Sequence, residues 1–301
     1  MQAQTVQKNS IRAWILASRP KTLSAALVPV AAACALTWQS HTFRWQTALL
    51  CMLFAAVMQI AANLINDLYD FLKGTDRDDR LGPLRACAQG WISPYAMRWG
   101  IFITLILAAV TGLTMLWYVN EWYGSDLLLW LIGMGALCMV FAFLYTTLLS
   151  YVGFGDVLVW VFFGLVPVCG TYLVQAGHLN ATVWWCGAAC GMAIDTLLVL
   201  NNYRDRDTDR KSGKRTLIAV LGEAFGRWYY LAVGFVALAL ACLVTLPHHS
   251  TAILAFYVLL HVKTWREMVR INHGKELNRI LGQTSRNILI FGLCLCLAIL
   301  I

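Results

Sequence analysis

The chain is poor in charge. Asp, Glu, Lys and Arg make up only 13% of its 301 residues, against 60% hydrophobic. A soluble domain averages roughly 25% charged and about 45–50% apolar. No long polar segment is present, which argues against a separate soluble catalytic domain. There is no G-x-x-x-x-G-K nucleotide loop, no H-E-x-x-H and no G-x-S-x-G nucleophile turn. The ten cysteines include no C-x-x-C pair. Nine of them fall in or near apolar runs and read as small buried hydrophobes, while Cys87 falls in a polar loop. Cys186 and Cys190 are one helical turn apart, but no His or Asp beside them completes a soft-metal site.

Apolar runs fill the chain instead. Many approach the ~20 residues that cross a bilayer as helix. Nine spans are placed near 22–38, 46–70, 98–119, 125–147, 155–176, 182–202, 225–246, 250–264 and 284–301. No cleavable signal peptide is read, because Met1–Ser10 is polar and the first apolar run is long. The protein is therefore expected to be an all-α integral membrane protein.

Net charge is +8, which in a soluble protein would raise the question of nucleic acid. Its distribution points elsewhere. With the N-terminus inside, 22 of the 23 Lys/Arg residues fall on one side, and only Arg44 falls outside. By the positive-inside rule this gives an N-in, C-out orientation. The charge sits in three loops, 71–97, 203–224 and 265–283. Most acids share that side, although Glu121 and Asp126 are outside and Asp195 is within a span.

Two of those loops open on Asn/Asp-rich clusters: NLINDLYDFLKGTDRDD at 63–79 and NNYRDRDTD at 201–209. Acids so close to lipid are costly and mark function. Asp67 and Asp205 are 138 residues apart, which suggests a duplicated four-span unit plus a ninth helix. Repeats that meet around a shared site are common in membranes. Asn63, Asp67 and Asp70 are spaced i, i+4, i+7, and Asn202, Asp205 and Asp209 i, i+3, i+7. On continuing helices each trio shares a face.

Two such helix ends facing each other would gather four carboxylates and two amides. Hard oxygen donors of this kind suit Mg²⁺, which keeps some waters and shares phosphate oxygens. Lys73, Arg77, Arg80, Arg85, Arg204, Lys211, Lys214 and Arg215 lie beside them and suit a diphosphate. A lipid diphosphate fits the pattern, its head in the polar site and its chain in the bilayer. Loss of diphosphate would leave an allylic cation. Metal and basic groups would stabilise the leaving group, and dry aromatic walls would exclude water. A divalent-cation transporter would instead spread acids across the bilayer depth, and only Asp195 lies deep.

The motifs RPKTL at 19–23, NLINDLYDFLKGTD at 63–76, DRLGPLR at 79–85, GFGDVLVWVFFG at 153–164 and NNYRDRDTDRKSGKRTL at 201–217 occur in this order. With them the chain resembles the UbiA-type intramembrane prenyltransferases. Within that superfamily it looks like the MenA branch, the 1,4-dihydroxy-2-naphthoate polyprenyltransferases of menaquinone synthesis. GKRTL and GPLR favour that branch over the 4-hydroxybenzoate enzymes of the ubiquinone pathway.

The resemblance implies nine helices in a ring around a central cavity, forming one domain over 1–301 with cytoplasmic cap loops at 71–97 and 203–224. It implies Mg²⁺ held by Asp67, Asp70, Asp205 and Asp209, with Asn63, Asn66 and Asn202 in support. Lys21, Lys73, Arg80, Arg85, Lys214 and Arg215 would contact phosphate or close the cap. The substrates would be a polyprenyl diphosphate and dihydroxynaphthoate, which loses its carboxylate to give demethylmenaquinone. The location would be a bacterial cytoplasmic membrane, with the site on the cytoplasmic face.

A few positions are particular to this chain. Gly74 stands where the wider superfamily has a further Asp, and Asp76 is the substitute on offer. The loop after Tyr145-Thr146 is short. Asp156 is expected either near the aromatic acceptor or as a helix N-cap. Asp195 lies two turns before Asn202 and is expected either to face the cavity or to sit hydrogen-bonded at a helix contact. Trp117, Tyr118, Trp122 and Tyr123 read as interfacial belt. Trp160, Phe162 and Phe163 read as a cation-shielding wall.

Overall fold

The computed structural model describes residues 6–74, 81–147, 153–246 and 250–301, without the side chains of 126 and 142–147. The described residues are helical and contain no strand. In chain order the helices are α1 (Ile11–Ser18), α2 (Leu23–Gln39), α3 (Trp45–Leu72), α4 (Pro94–Tyr123) and α5 (Ser125–Thr147). They continue with α6 (Gly155–Val159), α7 (Val166–Ala176), α8 (Ala181–Lys211) and α9 (Leu217–Leu221). The last three are α10 (Glu223–Thr245), α11 (Ala255–Ile271) and α12 (Leu277–Leu300).

Seven of the nine expected spans are long and apolar enough to cross a membrane. The other two are the fourth, α5, with a shorter apolar stretch at Leu127–Phe141, and the eighth, α11. The lower half of α11 carries Lys263, Arg266, Glu267 and Arg270, so its helix outruns its apolar part. Such placement keeps each backbone polar group hydrogen-bonded within its own segment, as lipid requires.

Local sequence sets the ends. Ser10, Ser93 and Asn180 accept from the N–H groups of Ala13, Ala96 and Val183 and so cap α1, α4 and α8. Arg19 takes a left-handed backbone (φ 50°) and separates α1 from α2. Between α6 and α7, Trp160–Leu165 form a π-helical turn. Pro167 follows it. Its ring supplies no N–H and crowds the carbonyl four residues back, which the wider turn accommodates. That turn packs on α8 through glycine: a Cβ on Gly164 would lie 2.5 Å from the Gly187 carbonyl oxygen and from the Gly191 Cα. Small residues at a membrane helix contact allow such close approach.

The helices close on themselves, since α12 packs against α2 while α8 packs against α10 and α3 against α4. Chain ends lie at opposite ends of the bundle. Asn9 N–H donates to the Trp91 carbonyl at 2.7 Å, and the Ser250 hydroxyl donates to the Ala298 carbonyl at the other end. At that far end the Arg44 guanidinium stacks 3.8 Å from the Trp122 ring. The basic residue expected outside is thus in a cation–π contact with one of the expected belt aromatics.

The expected duplication has a physical trace. Thr37 on α2 donates to Gln175 on α7 at 3.2 Å. These two residues are also 138 positions apart, the Asp67–Asp205 offset. One expectation is corrected here. The segment 203–224 is largely helix and not loop, because α8 runs on to Lys211 and α9 follows. The second acidic cluster is therefore a helical ridge that stands beyond the apolar part of its span.

Candidate active site

A cavity of about 590 Å³ lies inside the bundle, lined from α2 through α8. Among the described residues α10, α11 and α12 contribute nothing to its wall. Its body is apolar and soft: Phe54, Met58, Met115, Met134, Met139, Phe162 and Phe163 face it. Its rim is polar, built from Arg19, Thr22, Gln59, Asn63, Asn66 and Asn201. The rim lies at the end that carries both acidic clusters.

On α3 the rim residues Gln59, Asn63 and Asn66 follow the i, i+4, i+7 spacing of one helix face. Asn63 donates to the Ser18 carbonyl at 2.8 Å and to the Thr22 hydroxyl at 2.9 Å. Gln59 donates to Thr22 at 3.2 Å and to Asn63 at 3.3 Å. This amide network satisfies the carbonyl freed by the break at Arg19. It also fixes the RPKT turn against α3, so Arg19 and Thr22 reach the rim.

Asp67 does not line the cavity. It is 1% exposed, and its two oxygens accept the backbone N–H groups of Ala86 and Cys87, both at 2.8 Å. It thus ties the segment after Leu81 onto α3. That tie brings Arg85, itself buried, to Asp70 at 2.6 Å.

The second cluster follows a different scheme. Arg204 is 4% exposed and forks onto Asp205, with Nε donating to Oδ1 at 2.7 Å and Nη2 to Oδ2 at 2.6 Å. Lys214 faces Asp209 at 3.6 Å. Asn202, Asp156, Lys214 and Thr216 line a separate chamber of about 30 Å³, room for about one water molecule.

Several expected residues stand elsewhere. Asp156 lies behind the cavity wall, in the first turn of α6, where a carboxylate suits the helix dipole. It does not face the cavity, and the N-cap is Phe154. Asp195 also faces away from the cavity and interacts with Asp156 and Tyr229 at a helix contact. Among the described residues no Asp or Glu lines the cavity wall. Asn202 lines the side chamber, and its neighbour Asn201 takes the cavity position. Lys21 is exposed on a 3₁₀ turn, outside the rim that Arg19 and Thr22 form. Lys73 and Arg215 are exposed as well. Trp160 packs on Gly191, while Phe162 and Phe163 do line the cavity. Arg80, Arg77, Asp76, Asp78 and Asp79 lie outside the described residues, as does the loop after Thr147.

The sequence reading missed Arg19, Thr22, Gln59 and Asn201 at the rim. Signals existed: Gln59 is one turn before Asn63, and Asn201 is the 138-offset partner of Asn63.

Among the described residues no three His, Cys, Asp or Glu side chains converge to hold an ion. The four carboxylates therefore do not form one group. The physical reason is local: Asp67 is spent on backbone N–H groups, and each of the others is matched to its own cation. Asp70, Asp205 and Asp209 do not line the cavity either, but as hard oxygen donors they stand one to two helical turns beyond its rim residues Asn66 and Asn201. They fit a cation whose shell is completed by substrate phosphate and water, the habit of Mg²⁺.

A membrane-spanning helical bundle with charged residues paired at the mouth of a long apolar chamber is an architecture for a substrate with a polar head and an apolar tail. Solved structures of UbiA homologues share the fold at low sequence identity. A UbiA homologue from Aeropyrum pernix K1 superposes with a TM-score of 0.68 at 16% identity, over 90% of this chain and 96% of that one. One from Archaeoglobus fulgidus, bound to DMAPP and Mg²⁺, gives 0.62 at 14% identity, over 94% and 98%.

The family itself is shown by sequence. The UbiA prenyltransferase family model matches residues 26–281, and the chain belongs to that family. It is 33% identical to a 1,4-dihydroxy-2-naphthoate octaprenyltransferase of Escherichia coli, over 97% of this chain and 96% of the relative. It is 36% identical to the protein of the same name from Mycobacterium tuberculosis, over 73% and 74%. A human UbiA prenyltransferase domain-containing protein is 28% identical over 93% and 81%.

Proposed function

We propose that this protein transfers a polyprenyl group from a polyprenyl diphosphate to 1,4-dihydroxy-2-naphthoate, with loss of the naphthoate carboxylate, to give demethylmenaquinone. The membrane is a bacterial cytoplasmic membrane, and the site opens on its cytoplasmic side. The observation that carries the reading is that Asp70 on α3 and Asp205 and Asp209 on α8, each paired with a cation, follow the cavity rim residues Asn66 and Asn201 by one to two helical turns. The choice of acceptor is supported by the name of a bacterial relative matched over nearly its full length.

In this reading Asp70, Asp205 and Asp209 hold Mg²⁺ together with the diphosphate. Bound Mg²⁺ would offset negative charge on the diphosphate as it departs. Arg85, Arg204 and Lys214 bind phosphate oxygens, with guanidinium forks suited to them. Asn66 and Asn201 place polar groups where head meets tail. Asp67 holds the segment that carries Arg85. The C–O bond to diphosphate breaks with its electron pair on the oxygen. The allylic carbon left behind is shielded by Phe162, Phe163 and the Met side chains until the naphthoate ring attacks it.

A product assay tests this. Protein in detergent receives polyprenyl diphosphate and Mg²⁺ with either dihydroxynaphthoate or hydroxybenzoate. A prenylated, decarboxylated naphthoquinol that disappears with EDTA is expected. Product from hydroxybenzoate alone would reassign the acceptor.

A further inference from the structure

Asn278, in the first turn of α12, touches both halves of the site although it was part of neither cluster. Its Oδ1 accepts from Arg204 Nη1 at 2.8 Å. Its Nδ2 donates to the Leu81 carbonyl, 197 positions away, at 2.7 Å. Arg204 can only donate and a carbonyl can only accept, so the network fixes which way the amide points. Arg204 meanwhile forks onto both oxygens of Asp205. A chain of contacts therefore runs from Leu81 through Asn278 and Arg204 to Asp205. Leu81 leads directly into the segment that Asp67 anchors and that presents Arg85 to Asp70.

We propose that Asn278 is a positioning residue for diphosphate and metal, holding the second acidic cluster in register with the segment that serves the first. The role rests on the diphosphate-and-metal reading given above. A planar amide is needed because one end must accept and the other donate. A carboxylate would accept at both ends, repel the Leu81 carbonyl and compete with Asp205 for Arg204. An aliphatic side chain would do neither job and would leave Arg204 free to swing. The last helix, which contributes nothing to the cavity wall, thereby acts on the reaction through Asp205.

The test compares Asn278→Leu, which removes both contacts, with Asn278→Asp, which keeps only the Arg204 contact. Binding of Mn²⁺ in the presence of an unreactive farnesyl thiodiphosphate is followed by electron paramagnetic resonance, beside steady-state kinetics. Residues that orient metal ligands typically change metal affinity by about tenfold or more. Asn278→Leu is expected to lose about tenfold in Mn²⁺ affinity, with Asn278→Asp between it and wild type. KM for the prenyl diphosphate should rise with the affinity loss while KM for the acceptor stays put, a split that general loosening would not give. Wild-type affinity in both variants, or equal rises in both KM values, would overturn the proposal. If Asn278→Leu does not fold, Asn278→Asp decides alone: weaker binding supports the role and wild-type binding ends it. Failure of the wild-type protein to bind Mn²⁺ with the thiodiphosphate would strike the underlying reading instead, and this role with it.

Discussion

Asp67 and Asp205 occupy equivalent positions in the two halves and are held in opposite ways. Asp67 accepts two backbone N–H groups, and Asp205 accepts both arms of one guanidinium. The first builds a loop, while the second is a carboxylate kept in place by a buried side chain that Asn278 also holds.

Their substitutions should therefore part company. Asp67→Asn sets an NH₂ group against a backbone N–H and is expected to cost about 1–3 kcal/mol of stability. That loss reads as a lower melting temperature in detergent together with lost activity. Asp205→Asn is expected to keep the melting temperature and lose activity. A thermal melt beside the product assay separates the two, and equal melting temperatures would remove the anchoring role of Asp67.

Lys214 stands 3.6 Å from Asp209 and borders the side chamber with Asp156. Lys214→Met is expected to raise KM for the prenyl diphosphate about tenfold, a change of about 1.4 kcal/mol. KM for the acceptor should not change. Initial rates with each substrate varied in turn would check this.

Much of this was legible in the sequence. The apolar runs marked the helices, because lipid leaves few alternatives for a backbone. The two clusters gave the polar end. Which carboxylate faces which way was not legible. The spacing of Asn63, Asp67 and Asp70 predicted one face, but the face that lines the cavity is set by Gln59, Asn63 and Asn66. Asp67 turns aside because the backbone at Ala86 and Cys87 claims it, and a contact across about twenty residues leaves no periodic mark. Asn278 was invisible for the same reason, since its partners lie 74 and 197 positions away.

Cavity shape gives a further expectation. Gly112 lines the wall, and a Cβ there would meet Phe54 at 3.5 Å, an ordinary contact. Gly112→Ala is expected to be tolerated. Gly112→Leu should cut kcat/KM for the longest prenyl donors by about tenfold or more and spare short ones, the scale on which a few methylenes discriminate. Product chain lengths from mixed donors, read by mass spectrometry, would show it. A uniform drop across all donors would mean that Gly112 does not border the tail.

The glycine seam should be intolerant of even one methyl group. Gly164→Ala forces a Cβ against the backbone of Gly187 and Gly191. The expected loss is about 3 kcal/mol, the upper end for overpacking. Thermal unfolding in detergent measures it, and a wild-type melting temperature would show that α8 can step back.

The pairing of Asp70, Asp205 and Asp209 with Arg85, Arg204 and Lys214 means that these carboxylates carry their own counterions. Substrate entry is then an exchange of partners: phosphate takes the guanidinium and ammonium groups while the metal takes the carboxylates. The local charge stays close to balanced before, during and after the swap. Affinity for the diphosphate should accordingly respond to salt less steeply than its own charge would suggest, because these six groups are already matched in sign.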